Sequence, residues 1–269
     1  MTASGTIRVE RRGCEIAWVV FDRPQARNAL TFAMWERLRE IAEELNDDPA
    51  LRVVVLAGAG SQAFVSGTDI GEFRAFTGAD DGVGYEARIE RVIAALEAIR
   101  VPAIAAIAGA CTGGGLSIAA ACDLRIGAPS ARVGVPIART LGNCISLRNV
   151  ARAADVIGLD AVKALLLTGK LLDAEQARKA GFLHEVVSGD DEALCARAQQ
   201  LAEEIAQLAP LTLRASKEMC GRLRRVDYVT PDDDLPRDTD LIELCYGSRD
   251  FREGLTAFLD KRKPNWSGR

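Results

Sequence analysis

The chain has 269 residues, 48% of them apolar and 27% charged, with a formal net charge of −4; this is enough for one large domain or a domain with an appendage, and it carries no electrostatic footprint for nucleic acid or an anionic membrane. Seven cysteines (Cys14, Cys111, Cys122, Cys144, Cys195, Cys220 and Cys245) include no CxxC pair and are odd in number, which predicts buried thiols in a reducing compartment and argues against a disulfide framework or a zinc site. The opening residues lack a charged n-region ahead of an apolar stretch and no apolar run is long enough to span a bilayer, so the expected location is the cytoplasm, with no membrane partner.

In chain order, the first apolar run is Cys14 to Phe21, read as a strand that Asp22-Arg23-Pro24 breaks. Thr31 is a plausible N-cap for a helix in which Trp35, Leu38, Ile41, Ala42 and Leu45 recur at helical spacing, ending near Asp47-Asp48-Pro49. Val53 to Ala57 is uninterrupted apolar sequence, typical of a strand covered on both faces. A second amphipathic helix carries Tyr85, Ile89, Val92, Ile93, Leu96 and Ile99 on one side. After Pro102 comes the buried run Ala103 to Ala108, and a triple glycine opens a short helix of small residues, Leu116 to Cys122. Strands alternating with crossover helices predict an α/β core with mainly parallel strands. Gly181 to Val187 reads as a late strand. Beyond about Asp190 the pattern is helical over 193–209, 210–224, 238–246 and 249–259, with a loop at 227–236, so the chain divides into an α/β core over 1–192 and a helical subdomain over 193–269.

Two glycine-centred segments leave strands where helices begin: Ser66-Gly67-Thr68-Asp69-Ile70 and Gly109-Ala110-Cys111-Thr112-Gly113-Gly114-Gly115. Bare amides at such points supply hydrogen-bond donors and a favourable dipole without a charged side chain. Two of them converging on one point make an oxyanion hole, which suits a carbonyl compound. Removing a proton next to a carbonyl piles charge on its oxygen, and each preorganised donor lowers that barrier by roughly 3 to 4 kcal/mol. Glycine at 114 lets backbone approach a ligand closely. Asp69, just inside a helix start, reads as a cap or dipole partner and not as a reacting acid.

The order and spacing of Asp22 to Leu30, Phe64 to Ile70, Gly109 to Gly115, Cys122 to Arg125, Leu167 to Lys170, Ala174 to Ala177 and Arg249 to Gly254 resemble the enoyl-CoA hydratase/isomerase (crotonase) family over nearly the whole chain, down to Phe258 to Pro264, which is similar to the family's closing helix. The resemblance implies a spiral of ββα units with a C-terminal helical trimerisation region, assembled as a homotrimer or a dimer of trimers. It implies a coenzyme A thioester as ligand, with no separate cofactor, since coenzyme A enters as part of the substrate. Carried onto this chain, it places the thioester oxygen at the amides of Thr68 and Gly114, the acyl-pantetheine arm along Ser66, Thr68, Asp69, Ile70 and Gly71, and the nucleotide end near Arg27, Asn28 and Ala29. It also implies lyase or isomerase chemistry.

The hydratases of that family use two glutamates as general acid and base. Here their positions hold Ser117 and Ile137, and Leu124 to Ala154 contains no Asp or Glu at all. Losing such groups typically removes ~10² to 10⁴ in rate, so the expectation is a chain that binds an acyl-CoA and polarises its carbonyl while another group, or the substrate, moves the proton. Glu72, Glu86 and Glu90 are the candidate replacements, each weighed against an exposed salt bridge; Arg139 is weighed as a partner for a carboxylate on the acyl chain or as an exposed arginine. His184, the single histidine, reads as structural, and Cys144 as a buried small residue. Two readings of other kinds stay open: a non-catalytic acyl-CoA-binding paralogue, and a serine hydrolase using Ser117 in Gly115-Leu116-Ser117-Ile118-Ala119, which resembles a nucleophile elbow without its last glycine. A nicotinamide enzyme is disfavoured because the glycine run lacks the GxGxxG order.

Overall fold

A computed structural model describes residues 5–226 and 247–269, together with Leu244. The expected loop at 227–236, the helix expected over 238–246 except Leu244, and Cys245 lie outside the described residues.

The chain opens with a strand that hydropathy does not announce. β1 (Thr6–Arg12) buries only Ile7 and pairs antiparallel with β2 (Ile16–Asp22), setting Thr6 opposite Asp22 and Arg12 opposite Ile16. Its charged, exposed alternation suits an edge strand, where unpaired backbone must not recruit other chains. After β2 comes α1 (Phe32–Asn46), whose Thr31 cap accepts a hydrogen bond from the Met34 amide and which turns Trp35, Leu38, Ile41, Ala42 and Leu45 inward as its spacing predicts.

Three successive ββα units then repeat one plan: β3 (Val53–Gly58), β4 (Ala63–Val65) and α2 (Ala79–Glu97); β5 (Ala103–Ile107), β6 (Ala110–Thr112) and α3 (Gly114–Ala121); β7 (Leu124–Gly127), β8 (Arg132–Gly134) and α4 (Leu147–Ile157). The first strands of the units join a six-stranded sheet in the order β1-β2-β3-β5-β7-β10, where β10 is Glu185–Val186. The second strands form a smaller sheet, β4-β6-β8-β9, with β9 at Leu172–Asp173. Neighbours β3, β5 and β7 are parallel, as are β4, β6 and β8. α5 (Leu159–Thr168) and α6 (Ala174–Lys179) carry the chain back to the large sheet; α6 is closed by a reciprocal cap between Asp173 and Gln176.

Both faces of the large sheet are covered, which explains the uninterrupted apolar runs in β3 and β5. One face packs on α1, α2 and α3 through Val54, Leu56, Ala105 and Ile107. The other packs on α7 (Asp191–Ala206), where Leu194, Ala198, Ala202 and Ile205 meet Trp18, Val53, Val55 and Ile104. The boundary expected at 193 therefore falls inside a helix that completes the core. The helices expected from 210 and 249 are α8 (Pro210–Val226) and α9 (Arg249–Leu259); α8 is tied down by Lys217, whose ammonium donates to the Asp123 carboxylate at 2.7 Å and the Val101 carbonyl at 3.0 Å. The helix ends at Leu259, so Asp260 to Pro264 do not extend it.

The cysteine expectation needs correcting. Cys111 and Cys122 are buried, but Cys14, Cys144 and Cys220 are exposed and Cys195 is half-buried. All six are free thiols. Cys144 lies in the loop ahead of α4, where its neighbour Ile145 is the residue that packs on the core.

Gly115 is the tightest point of the core. A β-carbon there would stand 2.0 Å from the backbone oxygen of Val65 in β4, which no side-chain rotation relieves. Gly115→Ala is expected to lower unfolding free energy by about 1 to 3 kcal/mol, read from urea denaturation.

Candidate functional site

Parallel pairing of β4 with β6 sets Ala63 against Ala110 and Val65 against Cys111, so the turns that follow both strands leave on the same side. They touch. A β-carbon on Gly67 would lie 3.8 Å from the Gly114 nitrogen and 3.4 Å from the Thr112 carbonyl oxygen, and Gly67 holds φ at +112°, which side-chain-bearing residues rarely adopt. The Thr112 hydroxyl donates to the Ser66 carbonyl at 3.0 Å and the Ser66 amide donates to the Arg27 carbonyl at 3.2 Å, stitching three turns together. The glycine segment at 109–115 is thus less uniform than its sequence suggests: Ala110 to Thr112 are strand, and the helix begins at Gly114, two residues earlier than expected.

Amide directions follow from the hydrogen bonds. The Gly67 carbonyl accepts from the Leu30 amide at 2.8 Å, and the peptides of the described residues are all trans, so the Thr68 N–H points away from Leu30. The Gly113 carbonyl accepts from the Ser117 amide within α3, so the Gly114 N–H points out of the helix start. Among the described residues, no acceptor takes either N–H.

The Thr68 side chain is anchored twice. Its Oγ1 accepts from the Trp35 indole N–H at 2.9 Å and lies 2.7 Å from the Tyr85 hydroxyl. Burial pushes the Tyr85 phenol up to about 12, so it stays protonated near neutral pH. Beside it, Phe32, Phe73, Phe76 and Tyr85 form a ring cluster with centroids 5.0 to 6.3 Å apart. Asp69 caps the 3-10 helix Ile70–Ala75 through the Gly71 amide at 2.8 Å and pairs with buried Arg23 at 2.6 Å. The Arg23 hydrogen bond, then the Gly71 amide, hold its carboxyl below the usual range. Ile70 and Gly71 are exposed at the rim.

The residues expected toward a nucleotide divide differently. Arg27 is exposed, but Asn28 is fully buried: its carboxamide accepts from the Arg23 amide and donates to the carbonyls of Ala59 and Ala63. Ala29 gives its carbonyl to the Arg23 guanidinium. Asn28 thus holds the turn and leaves no side-chain group for a ligand.

Ser117 lies one turn into α3, 2% exposed, and Ile137 sits in the 3-10 helix Pro136–Arg139 after β8, packed on the core. The Gly113 amide donates to the Gly134 carbonyl, which brings that helix beside the glycine turn. Among the described residues, neither histidine nor carboxylate hydrogen-bonds Ser117. His184 instead accepts from the Arg125 amide at 3.2 Å, in β7, one residue before β10. Burial, then the Arg125 charge, lower its pKa.

The three glutamates do not meet the expectation of exposed salt bridges, because each is half-buried. Glu72 accepts from the Phe32 amide at the start of α1. Glu90 and Glu97 grip the Arg152 guanidinium between them at 2.6 to 3.0 Å, locking α2 to α4. Burial alone would raise the Glu90 carboxyl, but Arg152 outweighs it and holds it low. Glu86 has no cation among the described residues; it accepts from the Ser146 amide at 2.9 Å, and burial raises its carboxyl. Arg139 is exposed, its stem against Gly169. Sequence spacing alone missed Trp35 and Tyr85, which read as ordinary core positions of their helices.

Comparison with known proteins agrees with this arrangement. The family model for enoyl-CoA hydratase/isomerase matches residues 11–269. The chain is similar to the crotonyl-CoA hydratase of Syntrophomonas wolfei, at 31% identity over 94% of each chain, and to the short-chain-enoyl-CoA hydratase of Clostridium acetobutylicum, at 30% identity over 95% of each. Among solved structures, it is similar to an enoyl-CoA hydratase/carnithine racemase from Magnetospirillum magneticum, with TM-score 0.89 and 34% identity over 98% of this chain and 96% of that one.

Glu86 gives a signed prediction. Its folded-state carboxyl titrates above its unfolded value, so the folded chain binds the extra proton and stability declines as pH rises through that interval. Glu86→Gln keeps an acceptor for Ser146 and removes the buried charge. The variant is expected to be more stable than the parent at pH 7 to 8, with the gap closing below about pH 4, as measured by urea unfolding across pH.

Proposed function

The chain belongs to the enoyl-CoA hydratase/isomerase family, and from that premise we propose that it is an enzyme that binds an acyl-CoA thioester and stabilises its enolate with the amides of Thr68 and Gly114. The observation that carries the reading is the contact between the Gly67 and Gly114 turns, with an N–H on each that no described acceptor occupies. Fixed backbone donors aimed at developing charge need no rearrangement at the moment of reaction, which is what makes such a pair effective.

The acyl-pantetheine arm runs along Ser66 to Gly71, and the nucleotide end lies toward Arg27. Asn28, Ala29 and Asp69 shape that wall through the bonds already described. Ser117 and Ile137 stand where the family's hydratases carry glutamates, so water addition by the two-glutamate route is not the assigned reaction. Lyase or isomerase chemistry through the enolate is. Glu72 and Glu86, each half-buried, held by one backbone amide and without a cation partner among the described residues, are the carboxylates of the three candidates that remain free to exchange a proton. The enzyme works in the cytoplasm as a homotrimer or dimer of trimers; exposed Leu141, Leu147, Leu159, Leu167 and Leu171, around α4 and α5, are the surface that supports assembly.

Mass spectrometry of products from an acyl-CoA panel, run beside a direct crotonyl-CoA hydration assay, tests the reading. The expected result is conversion of at least one thioester, with crotonyl-CoA hydrated about 10² to 10⁴ times more slowly than by a two-glutamate hydratase. Saturable binding with no conversion anywhere in the panel would favour a binding paralogue. Hydration at a two-glutamate rate would show the missing acids to be dispensable.

A further inference from the structure

Trp35 is buried completely, on the inward face of α1, yet its indole N–H is not spent within the helix. An indole has one donor and no acceptor, and burying it unpaired would be costly. It goes to Thr68 Oγ1 at 2.9 Å. The six-membered-ring edge beside that nitrogen faces the other turn: a β-carbon on Gly114 would stand 2.6 Å from Trp35 Cζ2 and 3.0 Å from Cη2. One rigid side chain therefore touches both residues whose amides were assigned to the thioester oxygen.

The opposite side of Thr68 is held from α2. Tyr85 brings its hydroxyl to 2.7 Å from Oγ1, while its ring is fixed edge-on against Phe73 at 5.0 Å and packed near Phe32 at 6.0 Å. The Thr68 hydroxyl is thus gripped between two helices, and the backbone around it is gripped by Leu30, whose amide and carbonyl bond Gly67 and Asp69.

We infer that Trp35 and Tyr85 are positioning residues for the donor pair: through the Thr68 hydroxyl they set the direction of the Thr68 amide, and the Trp35 ring sets its separation from the Gly114 amide. This rests on the proposed oxyanion role of those amides and extends it to the side chains that fix it. Neither residue touches the thioester oxygen in this scheme. A shift on the order of 1 Å in a donor is enough to cost about a hundredfold in such sites, and without its anchor the Thr68 side chain regains its rotamers.

Acetoacetyl-CoA is the probe, because a 3-oxoacyl thioester ionises to its enolate in solution and so reports on the donors without needing the enzyme's proton-transfer group. The readout is the pH midpoint of its enolate absorbance when bound, with the dissociation constant of free coenzyme A as a control. The parent protein should lower that midpoint below the free-ligand value. Trp35→Phe and Thr68→Val should each return it toward the free value by about one pH unit, a tenfold loss of enolate stabilisation, with coenzyme A affinity unmoved in Trp35→Phe. Thr68→Ser should recover most of what Thr68→Val loses, and Tyr85→Phe should fall between. Thr68→Val keeps the packing around the ring, so it decides the matter if Trp35→Phe fails to fold. A parent-like midpoint in both Trp35→Phe and Thr68→Val would overturn the positioning role while leaving the donor pair intact. A parent protein that binds coenzyme A but leaves the midpoint where it is in free ligand would sink the donor pair, and this inference with it.

Discussion

Two three-residue strands lying side by side decide where everything else in this molecule must go. β4 and β6 run parallel, so both strands leave the small sheet at the same edge and their turns meet; Gly67 is required there by its φ of +112°, and Gly114 by the Trp35 ring, 2.6 Å from where a β-carbon would stand. Polar groups in the interior around the two turns hold that approach in place. Thr112 reaches across to Ser66, Asn28 fills its hydrogen-bonding capacity on Arg23, Ala59 and Ala63, and Trp35 turns its one donor to Thr68. Each of these is an interior polar contact that would be unfavourable if left half made.

The helices around the turns are coupled by charge as well as by packing. Arg152 on α4 is nearly buried and forks onto Glu90 and Glu97 of α2, a bidentate geometry that fixes the orientation of both helices. Removing one member would strand the others in a poorly solvated place. Arg125 plays a different part: its guanidinium fills carbonyls of Ala119 and Cys122 at the end of α3 and that of Phe182 before β10, so the same side chain finishes a helix and braces a strand. α3, which presents Gly114, is therefore set at its start by the glycine turn and at its end by arginine.

Much of this was legible in the residues before any coordinates. α1 announces itself by Thr31 and a clean apolar stripe; β3 and β5 announce themselves by runs too apolar for a one-sided sheet; the glycines at 67 and 113–115 mark backbone that must come close to something. The unread parts have physical causes. β1 hides because an edge strand of Thr, Arg and Glu has almost nothing to bury. β4, β6 and β8 hide because three residues are too few to display a period of two, and their pairing is long-range. The middle of the chain, from α4 through α6, carries caps and a left-handed Gly169 that punctuate helices, but its apolar spacing is interrupted by arginines whose partners lie on α2. Trp35 and Tyr85 sit at core spacing, and no pattern along the chain distinguishes an indole that merely packs from one that also donates. Cys144 illustrates the reverse error: a residue type that is usually interior stands exposed while its neighbour Ile145 takes the place against the core.

The covering of the large sheet by α7 also has a meaning for how the chain must be made. β2, β3, β5 and β7 are all synthesised well before Asp191, and until Ala206 has left the ribosome a wall of tryptophan, valine and isoleucine from those strands has no roof. A nascent or prematurely terminated chain at that stage offers a sticky parallel surface to any neighbour. The arrival of α7 thus converts an open, apolar sheet face into a sealed interior.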